Sequence, residues 1–379
     1  VKIAYTSIKD PLDINDWSGS TFHIHKALSD SGLQVRLFQK LTRRNNLITG
    51  SKKVLYRYLF SKNYFGELDP LRIESYARQV EKSLQTEKFD VIVSPSAYQI
   101  AYMKTDIPIV TWRDAPFSGN LNFYPSYSNF CKESIRDGHR LEQSALKKSR
   151  ISIFSSEWAA NSALKNYDVD PAKVKVVPYG ANIECDRDVE EIKKNNSKKN
   201  FDTCKLLFMG VDWVRKGGET AVKVAERLNQ RGLKTELHVV GCRPPGQLSP
   251  FVKQYGFVSK KTEKGRKMLD ELFKESHFLI LPTSAECCAV VFAEACSFGL
   301  PNLATDVGGN STAVRNDKSG KTFSLNADPD EYCDFVLKYM SDKKEYERLS
   351  LSSFQEYAER LNWATAGKRV NELIREFCG

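Results

Sequence analysis

Phe278-Leu279-Ile280-Leu281-Pro282-Thr283-Ser284-Ala285-Glu286-Cys287-Cys288-Ala289-Val290-Val291-Phe292-Ala293-Glu294-Ala295-Cys296 reads as three elements in a row. The four apolar residues suit a short buried strand. Pro282 and the small polar residues after it make a loop, and the small-residue run that follows has the make-up of a helix. Glu286 falls in the loop and Glu294 about two turns further on. At roughly 1.5 Å of rise per residue the two carboxylates stand about 10 Å apart, comparable to the span from the sugar to the ribose of a nucleotide-sugar. The helix start between them offers unpaired N–H groups and the positive end of a dipole. Carboxylates for hydroxyls and a helix end for phosphate are the parts of a nucleotide-sugar site. Simple acidic capping of the helix is the competing reading.

Outward from this stretch, strand and helix signals alternate almost throughout, the pattern of an α/β architecture with parallel sheets. Strands are expected at 2–6, 33–38, 91–94, 107–112, 151–155 and 174–177, with an amphipathic helix at 21–30 closed by Gly32. A second series begins at 205–210. It continues through a helix at 219–231, a strand at 235–241, a helix at 264–275, the quoted strand and helix, and a strand at 302–304. Between the series the charged, Asn-rich residues 186–202 read as a mobile linker or surface hairpin. Two Rossmann-like halves follow, 1–185 and 186–358, with helices at 329–339 and 343–358 and a last one within 359–379. A chain of 379 residues is long for one core and comfortable for two.

Hydrophobic residues make up 41% of the chain, ordinary for a globular protein, and no apolar run is long enough to span a bilayer. The opening Val1-Lys2-Ile3-Ala4-Tyr5-Thr6 reads as a buried strand rather than a secretory signal. The nine cysteines are scattered without CxxC pairs and read as reduced thiols with no structural zinc. A cytoplasmic location is the resulting expectation. The net charge of +10 favours an anionic partner: a nucleotide diphosphate, an acidic lipid headgroup or nucleic acid. No recognised nucleic-acid module accompanies the charge, so nucleic acid is not expected.

Three further clusters bear on chemistry. Gly210-Val211-Asp212-Trp213-Val214-Arg215-Lys216-Gly217-Gly218 follows a strand and opens a helix. Glycines there let a diphosphate approach and the cations neutralise it; a solvated helix start is the alternative. Asp16-Trp17-Ser18-Gly19-Ser20 lies between the first strand and first helix, where an N-cap turn explains it equally well. Thr111-Trp112-Arg113-Asp114 ends a strand on a charged pair, the expected place for a functional group in an open α/β sheet. Its alternative is a surface turn.

Taken in order from residue 1 to about 370, these motifs resemble the retaining GT-B glycosyltransferases, in particular the large family 4. The resemblance implies two Rossmann-like domains facing a central cleft, the first binding acceptor and the second the nucleotide-sugar, with the C-terminal helix crossing back to the first. It implies a hexosyltransferase-type transfer, with retention, from a nucleotide-sugar (UDP first, GDP second) to an acceptor hydroxyl, without cofactor or metal. Glu286 would orient the sugar, Glu294 would accept from the ribose hydroxyls, and Lys216 with Arg215 would stabilise the leaving diphosphate. Backbone at Cys288, Ala289, Val290 and Gly19, with Ser18, would complete the cradle. Val258 would lie beside the base, and Asp114 stands where many relatives carry a His near the reacting sugar. The chain departs from the family pattern at Val211, where an Arg is usual, and at Ser18, which replaces a glycine. Cys287-Cys288-Ala289 stands for Gly-Phe-Gly, and Thr312 for a Glu that often follows Gly308-Gly309. The first two bear on the phosphate contacts, and the altered triplet on the identity of the sugar.

One segment stands apart from these motifs. Residues 51–65 mix cations with aromatics, and Arg43-Arg44 add charge just before them. Such a segment suits a bilayer interface, with rings among headgroups and cations near anionic lipid, and would serve an enzyme acting on a lipid-linked acceptor at the inner face of a membrane. An amphipathic helix with cationic stems along the core edge has equal standing. For the whole chain the alternatives are another GT-B catalyst, such as a nucleotide-sugar epimerase, and a non-catalytic sugar-nucleotide-binding scaffold.

Overall fold

The structure is a computed structural model that describes every residue except 15, 39–40, 43–46, 248 and 379; the side chains of Ser18, Leu47 and Ile48 also lie outside the description. The Arg43-Arg44 pair is therefore outside the described residues. The chain divides into two compact units, Val1–Pro178 with Trp363–Gly379, and Tyr179–Asn362. The divisions fall at 178/179 and 362/363, where the strand–helix series and the resemblance led to 185/186 and 358/359. One reason lies in a backbone bond from Ala181 N to the Leu361 carbonyl (3.1 Å), which ties the start of the second unit to its own last turn.

In the first unit, β1 (Lys2–Thr6), β2 (Gln34–Phe38), β3 (Val91–Ser94), β4 (Ile109–Arg113), β5 (Ser149–Phe154) and β6 (Val174–Val176) form a parallel sheet in the order β2-β1-β3-β4-β5-β6. β3 and β4 are buried along their whole length. Strands covered on both faces need continuous apolar runs rather than alternation, which is why they are legible in the sequence. The helices are α1 (Ser20–Asp30), α2 (Leu47–Phe60), α3 (Pro70–Leu84), α4 (Phe117–Asn120), α5 (Lys132–Lys148) and α6 (Glu157–Asn166). α3 has Pro70 at its first position and Asp69 as cap, accepting from Leu71 N at 3.1 Å.

The second unit begins with α7 (Val189–Ser197), in the stretch expected to be a linker or hairpin. That expectation is corrected. Asp188 caps the helix by accepting from Glu191 N at 2.8 Å, and Ile192 and Asn196 are buried one turn apart. Two inward positions suffice to hold a helix whose other residues are polar. β7 (Cys204–Met209), β8 (Thr235–Val240), β9 (Val252–Gly256), β10 (Phe278–Leu281), β11 (Asn302–Thr305) and β12 (Gly320–Phe323) run parallel in the order β12-β11-β10-β7-β8-β9. β9 and β12, absent from the sequence reading, are the two edges, where half-exposed residues and a glycine replace the apolar run. α8 (Gly218–Gln230), α9 (Glu263–Glu275), α10 (Val290–Cys296), α11 (Asn310–Ala313), α12 (Pro329–Met340) and α13 (Lys343–Glu359) complete the unit.

The order of this sheet positions the site. The chain lays down β7, β8 and β9 outward, then returns to place β10 on the other side of β7. The segments leaving β7 and β10 therefore head in opposite directions and leave a crevice at their carboxyl ends, where open α/β sheets take ligands. Finally α14 (Trp363–Cys378) leaves the second unit and packs on α1 of the first. Gly367 allows the approach, since a Cβ there would lie 2.4 Å from the Ala27 carbonyl oxygen. Asn371 Nδ2 donates to the Ser31 carbonyl at 2.7 Å, and Trp363 stacks on His23. This is the crossing that the GT-B resemblance implies.

Candidate functional site

The turn after β7 is built around Trp213. Its buried ring packs on Phe208 of β7 and lies so close to Gly218 that a Cβ there would be 2.2 Å from it. Gly217 takes φ +78°, and a Cβ on it would meet the Pro282 carbonyl oxygen at 2.0 Å. A side chain is thus excluded by conformation and by space at once. With the turn pinned against the β10 loop, Val211 and Val214 point to solvent while Arg215 and Lys216 turn inward. The Arg215 carbonyl accepts from Ser284 N (2.8 Å) and Thr283 Oγ1 (2.9 Å).

Across the crevice Glu286 meets both cations. Lys216 Nζ donates to Glu286 Oε2, and Arg215 Nη1 donates to the same oxygen at 3.2 Å and to the Ala285 carbonyl at 2.9 Å. The Lys216 and Glu286 side chains are each only 12% exposed, so their attraction is screened less than a surface pair's. Asp212 holds the other side of Arg215, through its backbone N–H (3.0 Å) and Nε (3.4 Å). Two cations and two carboxylates therefore balance. The carbonyl of Glu286 accepts from Gly309 N at 2.9 Å, so the Gly308-Gly309 turn after β11 braces the backbone that carries the carboxylate.

Beyond Glu286, Cys287 and Ala289 are buried and Cys288 and Val290 half-buried. Ala289 is the N-cap of α10, and no side chain caps that end; the helix has seven residues, so its dipole is short. Glu294 lies in its second turn with its side chain 3% exposed, and Lys260 Nζ donates to its Oε1. Lys260 comes from the segment after β9, where Gly256 and half-buried Val258 sit beside fully turned-out Phe257. Gly241, after β8, has φ +99° and lies against the Gly210 carbonyl oxygen, 2.6 Å from where a Cβ would be. Next to it, burial and then Asp212 push the Cys242 thiol up from its ordinary range. Residues 20–184 match the family described as Glycosyltransferase Family 4, and residues 189–355 the family described as Glycosyl transferases group 1. The chain belongs to the family 4 glycosyltransferases.

Among individual relatives of this glycosyltransferase, a D-inositol 3-phosphate glycosyltransferase of Corynebacterium urealyticum is 23% identical over 295 residues, covering 73% of the chain and 68% of the relative. Two further proteins of that description are matched over less than two thirds of their own length. In three dimensions the chain is similar to a sucrose-phosphate synthase from Thermosynechococcus elongatus (TM-score 0.68, 14% identity, 99% and 98% of the two chains). It is also similar to Anabaena HepE in complex with UDP (TM-score 0.65, 14% identity, 99% of each chain). At these identities the structural likeness establishes the fold.

The remaining expected site residues of the glycosyltransferase lie in the first unit. Gly19 is the N-cap of α1 at φ +82°, at the carboxyl end of β1; the Ser18 side chain lies outside the described ones. Asp114 directly follows β4, half-buried, and its Oδ1 accepts from Ala115 N at 2.8 Å. The surface-turn alternative for Arg113-Asp114 does not hold. Arg113 is 3% exposed and paired through both Nη atoms with buried Glu142, one bond at 2.9 Å, and Glu142 also accepts from Phe117 N at 3.1 Å. The structure thus brings together Arg215, Lys216 and Glu286, and separately Glu294 with Lys260. It places Gly19 in the connection that follows β1 and Asp114 just after β4, two strands separated by β3. Lys260 and Asp212 were missed by the sequence reading. Lys260 carried no signal in the sequence, because β9, the strand it follows, was not legible there and a cation in that loop reads as a solvated charge. All nine cysteines are free thiols, and among the described residues no group of three or more His, Cys, Asp or Glu side chains could hold a metal ion.

Proposed function

We propose that this glycosyltransferase transfers a sugar, with retention of configuration, from a nucleotide-sugar to an acceptor hydroxyl, and that the donor is a UDP-sugar, with GDP-sugars second. The observation that carries the reading is the convergence of Arg215, Lys216 and Glu286 where the segments leaving β7 and β10 part. In the proposed reaction the bond from the anomeric carbon to the diphosphate breaks and one from the acceptor oxygen forms on the same face. The acceptor proton passes to a departing phosphate oxygen. Lys216 and Arg215 stabilise the charge that grows on the diphosphate, a role that needs no proton transfer. Glu286 accepts from sugar hydroxyls and holds the ring. Glu294 accepts from the ribose once Lys260 yields one of its oxygens. Backbone at Cys288, Ala289 and Val290 lies along the donor, and Val258 near the base.

The choice of UDP is supported by HepE, whose structure holds UDP; glycan, glycolipid or polysaccharide synthesis is the proposed setting. The test is a thermal-shift panel of nucleotide-sugars followed by NMR of the product. A donor present at 100 times its dissociation constant adds about 2.7 kcal/mol of stability. The reading requires a response to one base and a product anomer matching the donor. An inverted product sinks the retaining assignment, and binding without turnover across donors and acceptors leaves a scaffold.

A further inference from the structure

Among the described residues fifteen large apolar side chains are exposed, and five of them fall within seven positions of one helix: Val54, Leu55, Tyr58, Leu59 and Phe60, between 48% and 82% exposed. At about 100° per residue, Val54, Tyr58, Leu55 and Leu59 share an arc of about 140° on α2. A separate arc of about 60° carries Thr49, Lys52 and Tyr56, and these hold α2 to its unit. Thr49 Oγ1 donates to Asp69 at 3.4 Å, Lys52 Nζ and Tyr56 OH donate to Glu133 at 2.5 and 3.0 Å, and the Tyr56 ring stacks on Tyr64. The usual amphipathic arrangement is inverted: the polar stripe faces the protein and the apolar stripe faces out. Contiguous exposed apolar surface of this kind marks a docking face.

The charge around the stripe selects the occupant. Exposed Lys53, Arg57 and Lys62 flank it, and α2 contains no Asp or Glu. A second copy docking through the same face would set these cations against their own kind. An anionic bilayer surface pairs with them while taking the apolar arc among its acyl chains. No described helix is long and apolar enough to cross a membrane, so the contact would be peripheral. We propose that the outward face of α2 docks the protein on an anionic lipid surface. The inference is independent of which sugar is transferred.

The full chain is sedimented with vesicles of phosphatidylcholine alone and of phosphatidylcholine with phosphatidylglycerol. It partitions onto the anionic vesicles, less as salt rises. The double variant L55S/L59S lowers that partition by about tenfold or more. K53Q and R57Q each lower it about five-fold, on anionic vesicles alone. All four side chains are exposed, so thermal midpoints stay unchanged, and donor binding without vesicles is unaffected. A Tyr58→Trp variant reports burial as a blue shift on anionic vesicles. Equal sedimentation of wild type and L55S/L59S, or none with either lipid, overturns the proposal. So does a concentration-dependent dimer that L55S/L59S dissolves, which would give the face to a second copy.

Discussion

At the scale of single residues, Glu286 is tied up by Lys216 and Arg215, the cations that the proposed function assigns to the donor diphosphate. Glu286→Gln keeps the shape but removes the competing charge, so UDP should bind about five-fold tighter, the worth of roughly 1 kcal/mol for a modest ion pair. Turnover should fall about 10²-fold or more, because the sugar hydroxyls exchange a charged acceptor for a neutral amide. Calorimetry beside steady-state kinetics separates the two; weaker UDP binding would mean that Glu286 does not compete. Gly217→Ala adds a methyl where φ is +78° and the Pro282 carbonyl oxygen is 2.0 Å away. The left-handed conformation alone costs about 1–2 kcal/mol, so urea titrations should show an unfolding free energy lowered by more than that amount, together with loss of UDP binding. His277 stands just before β10, where burial, reinforced by the charges of Lys199 and Lys205, lowers its pKa to about 3. Between that value and the ordinary 6.5 the unfolded chain holds a proton that the folded one does not. Stability is therefore full above about 6.5 and declines at ~1.4 kcal/mol per unit as pH falls towards 3. His277→Asn, which retains an acceptor for Lys205 N without titrating, should flatten the loss in urea titrations between pH 7 and 5.

At the scale of elements, α7 shows where composition misleads. Residues 186–202 read as a mobile linker or surface hairpin, yet Ile192 is fully buried and Asn196 Nδ2 donates to Ser350 Oγ of α13 at 2.8 Å. A helix anchored by one apolar and one amide side chain carries almost no periodic signal. Ile192→Ala should cost about 2–4 kcal/mol, read as a lowered thermal midpoint, while UDP affinity at constant temperature stays the same. If the midpoint does not move, α7 is a passenger on the unit. The site elements were more legible: the strand at 278–281, the loop with Glu286 and the glycine turn after β7 each carry a local signature. Lys260 on Glu294 was not, because the two residues belong to segments following strands at different positions in the sheet.

At the scale of the whole molecule, the chain finishes in the unit where it began. α14 is held to α1 by a backbone approach that only Gly367 permits. Gly367→Val should force the helices apart at a cost of about 1–3 kcal/mol. Hydrogen exchange should then rise across α1 and α14 and leave β7 and β10 protected; uniform exchange across both units would contradict the division drawn at 178/179 and 362/363. Sequence by itself determined the alternation of buried strands and helices, the existence of two halves, and the identity of the cationic turn and of the two glutamates, because hydrophobic period and turn chemistry are local. Only the tertiary structure decided that Lys216 and Arg215 close on Glu286, that Lys260 covers Glu294, and that the last helix returns to the first unit. Those are contacts between residues tens to hundreds of positions apart, and strand order, which no local pattern encodes, is what brings them into reach.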